Sequence, residues 1–208
     1  MLSASDIIKR SFDIVLGTVA LTVTLPVQVL TGLAIRAVMG SPVLFRQERT
    51  GLHGRPFRLV KFRTMRPPEP AKGLVHDEER LTRLGRVLRS TSLDELPTFW
   101  NVVRGQMSLV GPRPLPVTYL ERYSPEQARR HEVRPGVTGL AQVTGRNAIT
   151  WAEKFRLDVA YVDGHTLMGD VVILMRTVLS VLKRDGIAAQ GSATMPEFVG
   201  TSPIASDS

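Results

Sequence analysis

IVLGTVALTVTLPVQVLTGLAI, residues 14–35, runs without a charged side chain between Lys9-Arg10 and Arg36. As a straight helix this run measures about 33 Å, enough to cross a hydrocarbon core of about 30 Å. A secretory signal would end on a small-x-small cleavage site. Here the run continues through Pro26 and Gln28 into Val29, Leu30 and Leu33. Pro26 has no N–H and its ring clashes with the Thr22 carbonyl, so a break into two arms is expected, of roughly 18 and 13 Å, each too short to cross alone. Cations at both ends favour placing both ends on the cytoplasmic side. A re-entrant hairpin satisfies this; a spanning helix must put one cationic end outside. The buried core helix of a soluble protein is the third reading. Backbone freed inside lipid needs donors, and the Thr22 and Thr24 hydroxyls are the candidates.

Beyond this segment, Val43–Glu48 and Pro56–Met65 are rich in Val, Leu and Phe, and Gly51 and Gly54 supply a turn, so residues 43–65 read as a β-hairpin. Pro67, Pro68 and Pro70 form a loop. Glu78–Leu88 carries Leu81, Leu84 and Leu88 at helical spacing. Arg80, Arg83, Arg86 and Arg89 recur every third residue and wrap around that helix, so at least two face solvent. Leu96–Val103 reads as a helix closed by Gly105. Residues 108–116 read as a Pro/Gly-rich loop, Pro125–Glu132 as a short polar helix, and Pro135–Asn147 as a loop with short extended pieces. Trp151–Val162 and Asp170–Leu182 read as helices. The second is apolar on most of its circumference and too short to span, hence either core or interfacial. The fold class expected is α+β and mainly helical: residues 1–40 a membrane-anchoring helix, 41–186 one domain with interfacial helices and a β-hairpin, and 187–208 a mobile Ala/Gly/Ser-rich tail.

The 208 residues suffice for one sizeable core. No cysteine is present, which excludes disulfides and thiolate metal sites. With 27 Lys+Arg against 19 Asp+Glu, the net charge of +8 favours a polyanionic partner. Aromatics make up only 6% and there is no RNP-like, zinc-finger or helix-turn-helix pattern, so lipid headgroups or phosphorylated substrates are favoured over nucleic acid.

Ser92-Leu93-Asp94-Glu95 opens a helix. Read structurally, Ser92 is an N-cap and Glu95 closes a capping box. Read functionally, a carboxylate here can bind a divalent cation through one oxygen and attack phosphorus through the other. Mg²⁺ takes one or two carboxylates plus substrate phosphates, so no acidic cage is required. In Gly111-Pro112-Arg113-Pro114, two prolines stiffen the loop that presents one guanidinium, as phosphate recognition needs; the plain reading is a Pro-rich turn. Gly145-Arg146-Asn147 offers further donors or is merely a turn. Lys61 and Arg63 alternate onto one side of a strand. His53, His76, His131 and His165 lack metal-like spacing and read as structural.

Taken together these stretches resemble the monotopic phosphoglycosyl transferases, the bacterial sugar transferase family. The resemblance runs from about Lys9 to Gly186. It rests on Lys9-Arg10 with Phe12-Asp13, Pro26 in its apolar segment, Lys61-Phe62-Arg63-Thr64-Met65, Arg89 to Pro97, Asn101 to Pro114, Arg134 to Gly139, and Gly145-Arg146-Asn147. It implies a re-entrant membrane helix with a catalytic domain on the cytoplasmic face of the inner membrane. It also implies an Asp-Glu pair working with Mg²⁺, and a sugar-1-phosphate moved from a UDP-sugar to undecaprenyl phosphate with release of UMP. By motif the nucleophile and metal ligand is Asp94 and its partner Glu95; Arg89, Arg113 and Arg146 match phosphate or nucleotide contacts. With Lys61, Arg63 and Asn147 they complete the expected substrate-binding set. The resemblance is to a minimal member, of the kind that uses a UDP-linked diacetamido or N-acetyl sugar. One departure is Leu25, where small members often carry Ser before the proline; it removes a hydrogen bond that supports the kink and favours a less bent segment. The competing reading is a basic membrane-anchored scaffold in which Asp94-Glu95 is only a cap. Oligomeric state is left open.

Overall fold

The computed structural model describes residues 4–72, 74–145, 149–183 and 197–200. It opens on α1, Ala4–Met39, one helix of 36 residues that runs through Pro26 without interruption. The expected break into two arms is therefore corrected. Breaking the helix would strand several backbone groups in an apolar setting, whereas continuing through Pro26 forfeits one hydrogen bond. The Thr22 and Thr24 hydroxyls do not serve the Thr22 carbonyl; they donate to the carbonyls of Thr18 and Ala20, at 2.9 and 2.6 Å. Asp13, Gly17, Thr31 and Ile35 form the buried stripe of α1, while Val23 is 71% exposed and Leu30 67%. That exposure rules out the soluble core helix. The helix is long and apolar enough to cross a membrane by length and composition.

The hairpin follows: β1, Leu44–Thr50, pairs antiparallel with β2, Pro56–Phe62, from Leu44 opposite Phe62 to Thr50 opposite Pro56. The single helix expected over Glu78–Leu88 is two, α2, Asp77–Arg80, and α3, Arg83–Ser90. Thr82 divides them. Its hydroxyl accepts from Gly85 N at 2.9 Å as the N-cap of α3 and faces the Thr64 carbonyl at 3.2 Å. A 3₁₀ segment, Leu93–Thr98, then leads into α4, Phe99–Val103, which ends before Gly105 at φ 82°.

Residues 108–116 are not all loop. β3, Ser108–Val110, pairs in parallel with β4, Gly136–Thr138, which lies beyond the short helix α5, Pro125–Ala128. Such a short pair is hard to see in sequence because β3 has only three residues and all are buried, the polar Ser108 included, so no inside–outside alternation marks it. α6, Leu140–Thr144, α7, Trp151–Gly164, and α8, Leu167–Lys183, complete the fold. The main core joins Phe57, Leu59, Val102, Met107, Val110 and Ile173. α8 is both core and surface: Asp170 and Ile173 are buried, while Met168, Met175 and Val178 are exposed. Most of the expected mobile tail, 187–208, lies outside the described residues. Its described part, residues 197–200, docks through Phe198, which is buried among Tyr119, Tyr123, Trp151 and Phe155.

Both ends of α1 are tied to this domain. Lys9 donates to Asp170 at 2.6 Å and Ser108 at 2.9 Å, and Arg10 to the Val102 and Val103 carbonyls. Asp13 accepts from the Ser108 hydroxyl and the Leu109 N–H. At the far end Arg63, which is buried, donates to the carbonyls of Met39, Gly40 and Ser41. This corrects the expectation that Arg63 binds substrate: β2 ends at Phe62, alternation with Lys61 stops there, and the guanidinium closes the C-terminus of α1.

Candidate active site

Asp94 and Glu95 stand on the 3₁₀ segment, which Ser92 enters in the left-handed conformation, φ 56° and ψ 16°, with no side-chain capping bond. The capping box is thus corrected. In the left-handed conformation Ser92 terminates α3, with its N–H donating to the Arg89 carbonyl at 3.2 Å, and does not cap the next turn. The Glu95 side chain turns instead to two cations: one carboxylate oxygen accepts from Lys61 Nζ and from Arg113 Nη2, the latter at 3.1 Å.

Each of these partners is itself held. The Val60 carbonyl accepts from the Thr98 hydroxyl at 3.0 Å and the Val60 N–H donates to Asn101 Oδ1 at 3.0 Å. Those bonds fasten β2 to the segment carrying Glu95 and set Lys61 against it. The Arg113 loop is fixed at its backbone: Gly111 N donates to the Thr138 carbonyl, Gly136 N to the Pro112 carbonyl, and the Arg113 carbonyl accepts from Arg130 at 2.8 Å. Arg130 is buried and paired with Asp158 at 2.7 Å. Pro125–Glu132 reads in sequence as a short polar helix, and nothing local marks Arg130 as internal.

The two adjacent carboxylates are driven apart. Burial alone would raise Glu95, but the charges of Lys61 and Arg113, with their hydrogen bonds, outweigh it and hold Glu95 at about 2. Asp94 goes the other way, to about 6. Burial and the neighbouring Glu95 charge raise it against the pull of Lys61, Arg89 and Arg113. The Asp94 carboxylate has no hydrogen-bond donor among the described residues, so its ionised form lacks the compensation that Glu95 enjoys. Lys61 is lowered by burial against the charge of Glu95.

Lys61, Glu95 and Arg113 line a pocket together with Arg49, Thr98 and Val137, among others, and Asp94 directly precedes Glu95 on the 3₁₀ segment. Arg49 was not singled out in the sequence. It lies on β1, away from any motif, and only the hairpin brings it to Arg113, whose charge, after burial, lowers it. Its Nε is buried without a partner. Arg89 donates from Nε to Thr64 Oγ1 at 3.1 Å and its charge acts on Asp94. Arg146 and Asn147 lie outside the described residues. No group of three or more His, Asp or Glu side chains able to hold a metal occurs among the described residues. Asp94, whose carboxylate has no donor among the described residues, is the group that could hold a divalent cation together with phosphate oxygens, since Mg²⁺ ordinarily needs only one or two carboxylates. His131 is structural as expected: it is buried, tilted against Tyr123, and lowered to about 4 by burial and the charge of Arg130.

A family model described as bacterial sugar transferase matches residues 4–184. Among similar proteins, an uncharacterized sugar transferase of Bacillus subtilis, EpsL, is 49% identical, covering 96% of this chain and 100% of its own. A UDP-glucose:undecaprenyl-phosphate glucose-1-phosphate transferase of Caulobacter vibrioides is 41% identical over 88% of this chain and 72% of its own. An undecaprenyl-phosphate galactose phosphotransferase of Salmonella typhimurium is 37% identical over 88% of this chain and 42% of its own, longer one.

Proposed function

The chain belongs to the bacterial sugar transferase family, and from that premise we propose that it moves a sugar-1-phosphate from a UDP-sugar to undecaprenyl phosphate, releasing UMP, as the first membrane step of glycan assembly. One observation carries the assignment of roles: of two adjacent carboxylates, Glu95 is held ionised by Lys61 and Arg113, while Asp94 has no donor among the described residues and sits at about 6. Glu95 keeps two cations in place. Asp94, ionised at neutral pH and poorly solvated, is the group free to attack.

In this reading Arg49, Lys61 and Arg113 receive the pyrophosphate of the UDP-sugar. An Asp94 oxygen forms a bond to the sugar-bearing phosphorus, and the bond from that phosphorus to the bridging oxygen breaks, so UMP leaves with the electron pair. The product is an acyl phosphate on Asp94. A phosphate oxygen of undecaprenyl phosphate then attacks the same phosphorus and the Asp94 carboxylate departs. One anhydride is lost and one gained overall, so no ATP is needed. Bound at Asp94, Mg²⁺ supplies neutralisation of the pyrophosphate charge. The test is enzyme mixed with UDP-sugar alone, over a panel of hexose and N-acetyl sugars. It should release at most about one UMP per site and leave a hydroxylamine-sensitive phosphosugar on the Asp94 peptide. UMP that appears only after lipid is added would make direct displacement the mechanism and remove the nucleophile role. Turnover that persists in excess EDTA would remove the metal.

We also infer a one-sided attachment to the cytoplasmic face of the inner membrane, with both ends of α1 on that side. What supports it is that Lys9, Arg10 and Asp13 at one end of α1 and Ile35 and Met39 at the other all meet the same domain. A helix crossing the bilayer would carry one end away from it. A single cysteine at position 3, which should label from the cytoplasmic side only, tests this. Labelling from the periplasm alone would establish a spanning helix.

A further inference from the structure

We propose that the groove beneath the middle of α1 holds the isoprenoid chain of the lipid acceptor next to its phosphate; this rests on the transfer to a polyprenyl phosphate proposed above. α1 meets the domain at two places. At Gly17 a methyl group would lie 3.2 Å from Val102, and at Gly32 one would lie 3.6 Å from Val43, with Ile35 buried beyond against Phe62 and Leu88. Between these contacts Leu21, Gln28 and Val29 roof a groove of about 570 Å³ whose other walls include Val60, Phe62 and Trp100. Along α1, Leu21 to Val29 is about 12 Å. The lining is apolar but for Gln28, whose amide already donates to Thr24 Oγ1 at 2.9 Å. Such walls suit a hydrocarbon chain and would reject a charged head.

The groove lies back to back with the catalytic pocket. Side chains alternate across a strand. Leu59 and Lys61 of β2 line the pocket, and Val60 and Phe62 line the groove. The 3₁₀ segment does the same, with Glu95 and Thr98 on the pocket and Pro97 on the groove. The two sites are one strand apart, and the residues that separate them follow directly on Asp94. An amphiphile with an anionic head and an apolar tail matches the pair; UDP-sugar, polar throughout, matches only the pocket. The membrane helix forms the roof, so an acceptor dissolved in the bilayer reaches the groove without leaving lipid.

The test narrows the groove and leaves the pocket alone. Val29→Trp and Leu21→Trp fill it from the roof. Val23→Trp, on the exposed face of the same helix, is the control. Each variant is assayed in full-length form in nanodiscs, with undecaprenyl phosphate and with geranyl phosphate as acceptors. Displacing even two methylenes from apolar contact corresponds to about tenfold. Val29→Trp and Leu21→Trp should therefore raise the KM for undecaprenyl phosphate by at least about tenfold, leave the KM for UDP-sugar unchanged, and change the geranyl phosphate rate far less. Kinetics equal to those of Val23→Trp would mean that bulk lipid alone fills the groove, and would overturn the proposal. So would an equal loss with both acceptors. Wild-type enzyme that releases no UMP from any UDP-sugar with either acceptor would instead remove the transferase reading itself.

Discussion

Asp94 and Glu95 share a backbone turn yet differ by about four pH units in where they ionise. Glu95 reaches Lys61 and Arg113, and Asp94 reaches neither by a hydrogen bond. An ionised Asp94 is therefore held against its environment, and the sign of the effect is testable. Its native value, about 6, lies above its ordinary 3.8, so the native state is favoured at low pH and loses that advantage as pH rises through about 6. At pH 8 Asp94→Asn should abolish UMP release yet leave the protein as stable or more stable, by roughly 1–3 kcal/mol. A lower melting temperature for this variant would contradict the electrostatics. Arg113→Ala should also lower activity, reducing kcat/KM about ten- to a hundredfold, the worth of one charge-assisted contact, but with little change in melting temperature. Arg49→Ala should raise the KM for UDP-sugar, since its buried Nε lacks a partner in the unliganded chain.

At the scale of elements, two close approaches of backbone set the site. β3 and β4 run so near each other that a methyl group at Gly136 would lie 2.1 Å from Gly111 N. Gly136→Ala must separate the strands and release the Pro112 carbonyl, which holds the Arg113 loop. The expected result is a loss of activity of at least about tenfold together with lower stability, read by kinetics and thermal melting. Similarly, α3 rests on the Thr64 carbonyl through Gly85, where a methyl group would come within 2.0 Å. Arg63 shows how an element boundary changes a residue's role. One position beyond the end of β2 it caps α1 and no longer shares the face of Lys61. Arg63→Ala should cost about 2–4 kcal/mol of stability, because three carbonyls lose a charged donor, while the KM for UDP-sugar stays unchanged. A change in that KM with normal stability would return Arg63 to the substrate-binding set.

Over the whole molecule, acid stability depends on groups far from the pocket. His131 is held at about 4, below its ordinary 6.5, by burial and by Arg130. The unfolded chain binds the extra proton between those values, so stability present above 6.5 is lost as pH falls towards 4, by up to about 3 kcal/mol. Asp94 works against this trend over much of the same range. Measured in an Asp94→Asn background, unfolding free energy should therefore fall between pH 6.5 and 4, and His131→Gln should flatten the slope. An unchanged slope would show that His131 is charged in the native protein. The same buried Arg130 that helps depress His131 pairs with Asp158 and holds the Arg113 carbonyl, so packing at the aromatic cluster reaches the loop that carries Arg113.

The apolar run from Ile14 to Ile35, the hairpin and the Asp94-Glu95 motif were legible in the sequence, because each depends on residues close together in the chain: a charge-free stretch, an alternation, a short motif. Lys61, Arg89 and Arg113 could also be picked out as cations suited to phosphate. What the sequence left undetermined was which partner each group would find. Ser92 looked like a cap until its backbone turned left-handed; Arg63 looked like a phosphate ligand until α1 ended beside it; Arg49 and Arg130 carried no local mark. α1 itself read as broken because the proline rule is local, whereas the continuous helix reflects what lies along its whole length. Contacts such as Lys9 with Asp170 or Arg130 with the Arg113 carbonyl join residues distant in the chain, and a buried charge takes its role from whichever partner the packing brings within hydrogen-bonding reach.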